Sequence, residues 1–299
     1  MQAHIPVLQK EVIKILAPHP NENFIDATLG FGGHAQLLLK KIAPYGKLLG
    51  IDQDLEALNQ AKKNLREFEE RFQYYHGNFI NLGLIVRDWQ VDIIDGILFD
   101  LGVSTYQLLT AERGFSFNLS APLDMRMDPT RQKITAADIV NKYSEKDLSR
   151  ILFELGEERY AKKIAAKISI ARKKEPIRTT NQLVEIIKSA MPPDYRYSRE
   201  HHFATSAFRA LRMAVNDELG SLKKVLPQAI QILSPGGRIA IISFHSLEDR
   251  IVKNFFRESQ DLEIITEKPI VASVEEIQKN PKARSAKLRA ARKLVTSNQ

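Results

Sequence analysis

The chain has 299 residues, a net charge of +8, 43% hydrophobic residues and 27% charged ones. This is the make-up of an ordinary globular protein, long enough for one large domain or two smaller ones. It contains no cysteine, which excludes disulfides, thiolate metal sites and thiol nucleophiles and suits a cytoplasmic protein. The stretch MQAHIPVLQKEV has no signal-like apolar segment, and no run of about 18 apolar residues predicts a membrane span.

The first hundred residues alternate between strand and helix patterns. NFIDATLG (23–30) reads as a strand running into a glycine turn, and GHAQLLLKKIAP (33–44) as a helix with apolar residues about 3.6 apart. GKLLGID (46–52) is a buried strand, and a long amphipathic helix follows from an Asp cap at Asp54. FQYYHGNF (72–79) is a third strand, INLGLIVRDW (80–89) a helix, and VDIIDGILFDLG (91–102) a fourth, almost wholly apolar strand. Such strands separated by helices imply a parallel sheet covered on both faces.

From about Ser104 to Asn216 the strand pattern stops, and loops and helices take over. It resumes after a helix closed by Pro-Gly-Gly (235–237). RIAIISFHS (238–246) is a strand, EDRIVKNFFRES (248–259) a helix and LEIITEKPI (262–270) a further strand. The expectation is an α/β domain of residues 1–106 and 214–299, interrupted by a helical insertion over 107–213. Charge follows the same division. Residues 107–213 carry +7 and the last segment, 279–299, another +7, while 1–106 and 214–278 each carry −3. Two basic blocks around acidic segments suggest a polyanion partner.

The turn GFGGHA (30–35) sits between strand and helix, where glycine backbone can approach a ligand and the helix N-terminus favours negative groups. Taken alone, it also fits a nicotinamide dinucleotide fingerprint. Asp52, at the end of the second strand, is placed to accept from both ribose hydroxyls of a nucleoside. Asp26, at the end of the first strand, departs from the nicotinamide pattern. It suits a ligand with a cationic part, such as the ammonium and sulfonium of S-adenosylmethionine. Asp100 ends the fourth strand and points to the same crevice, since open α/β sheets bind ligands at their carboxyl ends.

Without a cysteine the chain cannot form the thiolate adduct that methylation at a pyrimidine carbon requires, so a methyl transfer goes directly to nitrogen or oxygen. An acceptor such as Asp100 on an exocyclic amine would localise its lone pair and take its proton.

HIPVLQKEV (4–12), DATLGFGGHA (26–35), GIDQD (50–54), DLGVSTYQL (100–108), ERGFSF (112–117), PLDMRMD (122–128), FRALRMAVNDEL (208–219), ISFHSLEDRIVK (242–253) and NPKARSAKLRAA (280–291) follow one another in this order. The set resembles the bacterial 16S ribosomal RNA (cytosine-N4)-methyltransferases over nearly the whole chain. The resemblance implies a class I, Rossmann-like S-adenosylmethionine-dependent methyltransferase domain with an inserted helical substrate-recognition domain. It implies transfer of a methyl group from S-adenosyl-L-methionine to a cytidine N4 in the decoding region of 16S ribosomal RNA, in the small ribosomal subunit. It places Gly32, Gly33 and His34 on the methionine side of the cofactor, Asp52 at the ribose and Phe79 beside the adenine, with Asp100 and Gln107 completing the pocket. Gly30 and Asp26, read above from the turn and the first strand, are further cofactor-binding candidates. DLGVS differs from the Asp-Pro-Pro-Tyr motif of many amino-methyltransferases, and Tyr106 stands where a proline is expected.

Further candidates face RNA. Phe115 and Phe117 suit stacking on an extruded base, or a place in the core of the insertion. Arg126 can pair with a phosphate or a nearby carboxylate. Arg209 and Arg212, three apart on a helix, suit a phosphate or a salt bridge. His245 ends the fifth strand and is a candidate for substrate contact. Lys282, Arg284, Lys287, Arg289 and Arg292 would form a broad basic surface if the tail were helical. The pair His201-His202 has no further ligand at metal spacing, so no metal is expected.

Overall fold

A computed structural model of the chain describes residues 6–118, 120–197 and 202–295. Two compact units divide it. One contains Met1–Gly102 and Leu219–Gln299, the other Val103–Glu218. The first unit begins with α1 (Gln9–Leu16), β1 (Phe24–Asp26), α2 (Gly33–Lys41), β2 (Leu48–Asp52), α3 (Leu55–Asn64), β3 (Phe72–His76), α4 (Leu82–Trp89) and β4 (Gly96–Asp100). The second holds α5 (Thr105–Leu109), α6 (Ala136–Lys142), α7 (Glu145–Glu154), α8 (Ala161–Ala171), α9 (Thr180–Ala190), α10 (Pro193–Tyr197) and α11 (Thr205–Asn216). The chain returns to the first unit through α12 (Glu218–Ile232), β5 (Arg238–Ser243), α13 (Ser246–Glu258), β6 (Leu262–Ile264), β7 (Ile270–Val271), α14 (Val274–Lys279) and β8 (Lys287–Lys293). Breaks expected at 106/107 and 213/214 fall inside α5 and α11.

The sheet runs β3-β2-β1-β4-β5-β8-β6, with β7 also against β8. The first five strands are parallel, and β8 is antiparallel to β5, β6 and β7. Alternate residues serve opposite faces. Phe24, Leu48, Leu98, Ala240 and Ile242 pack with α1, α2 and α3, while Ile25, Ile51, Ile97, Phe99 and Ile241 pack with α4, α12 and α13. Strands buried on both faces explain the near-continuous apolar runs in the sequence. This is a Rossmann-like sheet, and its five parallel strands bring their carboxyl ends to one edge.

The second unit is helical among the described residues, apart from one bridge between Pro122 and Thr179. Capping boxes at Thr135/Asp138 and Thr179/Gln182 start α6 and α9. No described helix is long and apolar enough to cross a membrane.

The tail departs from expectation. In place of a solvent-facing helix, residues 287–293 form β8 inside the sheet. Leu288, Ala290 and Ala291 are fully buried, and Arg289 is only 6% exposed. Arg289 Nε donates to Asp249 on α13 at 2.6 Å, and Lys287 Nζ lies 3.5 Å from the same carboxylate. Arg292 Nε donates to Glu263 at 2.9 Å on the exposed side. Lys293 Nζ donates to the carbonyls of Ile230 and Leu233 at 2.8 and 2.6 Å, closing the C-terminus of α12. These cations are therefore held by carboxylates and carbonyls of their own unit.

Burial separates two of these pairs. Removing one partner of a buried ion pair leaves the other charge desolvated and costs about 3–5 kcal/mol, whereas an exposed pair is worth at most about 1 kcal/mol. Urea unfolding should therefore show Arg289→Ala several-fold more destabilising than Arg292→Ala. Equal losses would contradict the placement of β8.

Candidate active site

Three adjacent strands end in an aspartate. Asp52 closes β2, Asp26 closes β1 and Asp100 closes β4, in the spatial order β2-β1-β4. The turn after β1 is fastened to both neighbours. Gly30 N–H donates to Asp52 Oδ2 at 2.7 Å, and Asp54 N–H donates to Asp52 Oδ1 at 2.8 Å. These bonds orient a carboxylate that still has lone pairs for ribose hydroxyls. On the other side, Asp100 N–H donates to Thr28 Oγ1 at 2.5 Å, and Thr28 N–H donates to Asp26 Oδ1 at 3.2 Å.

The glycines at 32 and 33 have separate reasons. Gly32 has φ +82°, left-handed backbone that a side chain would strain. A Cβ at Gly33 would come within 2.2 Å of Pro6 Cγ. The Pro of the HIPVLQKEV motif thus packs against the start of α2. His34, in the first turn of α2, is buried, with Nε2 3.8 Å from Asp100 Oδ2. Phe79 follows β3 and meets the Phe99 ring edge-on at 5.6 Å.

This edge is electrostatically strained towards neutrality. Burial lifts the Asp26 carboxyl from 3.8 to about 7, against the Thr28 amide and with help from Asp52. Burial lifts Asp52 to about 6, opposed mainly by the Asp54 and Gly30 amides. Asp100 rises to about 8 through burial and the charges of Asp26 and Glu248, opposed by Lys282. Lys282 is itself pushed down to about 8 by desolvation, with Asp100 opposing. Asp100 Oδ1 is buried and has no hydrogen-bond partner among the described residues. An acidic, partly unsatisfied edge of this kind fits a cationic ligand, because a buried anion is stable only when paired.

The remaining candidates are placed as follows. Lys282 stands in the turn Pro281–Ser285 before β8, beside the acidic edge; sequence reasoning gave it to an outer RNA surface. His245 is buried and caps α13, accepting from Glu248 N–H at 3.4 Å, with Nε2 3.2 Å from Glu248 Oε1. In the second unit Gln107 caps its own helix, its Oε1 accepting Ser104 N–H at 3.0 Å. Phe115 is a core residue, and Phe117 stacks on His202 at 4.5 Å and meets Phe208 edge-on at 5.4 Å. His201 lies outside the described residues. Arg126 forms a paired contact with Asp124 at 2.8 and 2.7 Å. Arg209 donates to the Gly156 carbonyl at 2.8 Å, and Arg212 grips Glu218 with two bonds of 2.8 Å. Both arginines therefore have structural partners. Sequence reasoning missed Thr28 and Glu248, although Thr28 follows Asp26 at the spacing of a side-chain turn.

A Rossmann-like sheet with a glycine turn and three carboxylates at its carboxyl edge defines a nucleoside-cofactor enzyme of the α/β class. The model of the MraW methylase family matches residues 1–294, and the chain belongs to that family. A protein of Kosmotoga olearia named ribosomal RNA small subunit methyltransferase H is 49% identical over 296 residues, 98% of each chain. Proteins of the same name from Geobacter sulfurreducens and Nostoc punctiforme are 49% and 50% identical, each covering 98% of this chain and 99% and 95% of their own lengths.

The raised carboxyls give a signed pH effect. A group whose pKa rises on folding binds its proton more tightly in the folded state, so stability falls between the unfolded and folded values. For Asp26 that window runs from 3.8 to about 7. The unfolding temperature of the cofactor-free protein should fall as pH rises from about 4 to about 7. Asp26→Asn should flatten the fall and raise the midpoint at the alkaline end. A midpoint that climbs through this window would refute the buried acidic edge.

Proposed function

We propose that this methylase transfers a methyl group from S-adenosyl-L-methionine to the N4 amine of a cytidine in the decoding region of 16S ribosomal RNA, within the small ribosomal subunit. The family membership and the printed name of the relatives support the methyl transfer and the ribosomal RNA of the small subunit. The resemblance of DLGVSTYQL and its companion motifs supports cytidine N4. The observation that carries the reading is the row of aspartates at the ends of β2, β1 and β4.

The residues fit the cofactor. Asp100 Oδ1 is a buried acceptor in search of a partner, and the donor's cationic groups are suitable ones. When bound, S-adenosyl-L-methionine supplies an electrophilic methyl group on a positively charged sulfur. Asp52 would accept from the ribose hydroxyls, Phe79 would lie beside the adenine, and Gly30, Gly32, Gly33 and His34 would line the methionine side. Asp26 would face the ammonium.

Asp100 does the work on the substrate. As a carboxylate it accepts a hydrogen bond from the amine, aims the nitrogen lone pair at the methyl carbon and takes the proton released as the bond forms. A protonated Asp100 can do none of this, and burial favours that form. The positive charge of Lys282 opposes it, so Lys282 is a positioning residue that keeps Asp100 available as a base.

Labelled cofactor, small subunits from a strain lacking the enzyme, and nucleoside mass analysis test the reaction. Label should appear in N4-methylcytidine; label in another nucleoside would overturn the substrate assignment. Asp100→Asn should lower single-turnover rates at saturating cofactor by about 100-fold or more. Lys282→Met should move the acid limb of the rate profile up by about one pH unit, as loss of a nearby opposite charge does, and Lys282→Arg should restore it. An unmoved limb would remove Lys282 from the mechanism.

A further inference from the structure

The two basic blocks of the sequence have different surroundings. The cations of β8 are held within their own unit, as described above. Those of α8 are not. From Arg159 to Lys174 the chain has seven Lys or Arg and no Asp or Glu. Helix α8 buries Ala161, Ile164, Ala165 and Ile168 and exposes Lys162, Lys163 and Lys167. With about 3.6 residues per turn, these three cover roughly 140° of the helix circumference.

On neighbouring helices of the same unit, three exposed cations are matched with acids one turn away. Lys142 pairs with Asp138 at 2.7 Å, Arg150 with Asp147 at 3.1 Å and Lys188 with Glu185 at 3.3 Å. Lys162, Lys163 and Lys167 make no ion pair among the described residues. At the start of α8, Lys163 Nζ lies 5.4 Å from the centre of the half-buried Tyr160 ring. That ring is braced edge-on by Tyr195 at 4.6 Å. Unpaired like charges repel one another and gain most from a polyanion that releases counterions on binding, and a braced ring offers a base a stacking surface.

We propose that the cationic face of α8, with Tyr160 at its start, is a docking surface for the sugar–phosphate backbone of the RNA substrate. This rests on the reading that the enzyme acts on RNA. The contacts are charge-driven, so they set affinity and salt dependence and leave the choice of nucleotide to the cofactor site.

Two full-length triple variants of equal charge change test it. One replaces Lys162, Lys163 and Lys167 with Gln. The other replaces the paired Lys142, Arg150 and Lys188 with Gln. Filter binding to a transcript of small-subunit ribosomal RNA is measured from about 0.05 to about 0.3 M salt. The α8 variant should lose about 10-fold or more in affinity, and its salt slope should drop by about two to three, close to one per phosphate contact. The control should stay within about 2-fold, because exposed paired cations contribute little. Equal losses in both variants, or no loss in the α8 variant, would overturn the surface.

S-adenosylhomocysteine titration separates this result from the functional reading. Normal cofactor affinity together with an α8 variant that binds RNA as tightly as the unmodified protein rejects only the surface, whereas failure of the unmodified protein to bind S-adenosylhomocysteine rejects the methyltransferase chemistry. Whole subunits that need the α8 lysines, beside naked RNA that does not, would assign the face to an acidic protein and overturn the proposal.

Discussion

Three carboxylates at the ends of neighbouring strands are the constraint from which the rest of the site follows. Burying Asp26, Asp52 and Asp100 along one edge raises all three pKa values. The fold tolerates this because each has a local compensation. Backbone amides serve Asp52, the Thr28 amide serves Asp26, and Lys282 faces Asp100. The glycine turn supplies one of these amides, so its shape is also part of the electrostatics. A strand edge whose carboxyls and amides are already held in place needs little rearrangement when a cation arrives, which is the advantage of preorganisation.

The same constraint gives the terminal segment a role that composition conceals. A strand threaded antiparallel between β5 and β6 is buried on both faces, yet β8 reads KLRAARK. It is acceptable there because Asp249, Glu263 and the end of α12 receive its charges. The preceding turn is anchored by Ala283 and Ala286, both buried in the core against α1 and α2. That anchoring holds Lys282 beside the acidic edge.

Much of the fold was legible in sequence because the parallel strands are buried on two faces and therefore read as apolar runs. FID, LLGID and GILFD each carried their strand and their terminal acid. Caps were legible too: Asp54 starts α3 as expected. β8 was not legible, since periodicity counts apolar residues and this strand satisfies its polar ones by tertiary pairing. Arg209 and Arg212 show the same limit. Their spacing told of a shared helix face, but not that a carbonyl of Gly156 and the carboxylate of Glu218 occupy them. His245 likewise became a helix cap, a role that depends on the turn geometry after β5. Phe115 went to the core, the alternative its apolar neighbourhood also allowed.

Net charge therefore indicates a class of partner without indicating which cations meet it. What decides is whether an acid or a carbonyl lies within reach, and that is a property of the fold. In the tail the answer is yes for Lys287, Arg289, Arg292 and Lys293. One consequence concerns assembly of the site. Asp26, Asp52 and Asp100 all come from the first third of the chain, whereas Lys282 comes from its last twenty residues. Until the C-terminal strand has inserted, Asp100 lacks the charge that opposes its protonation. The acidic edge is drawn from early segments of the chain, and the charge that opposes protonation of Asp100 is drawn from the final segment.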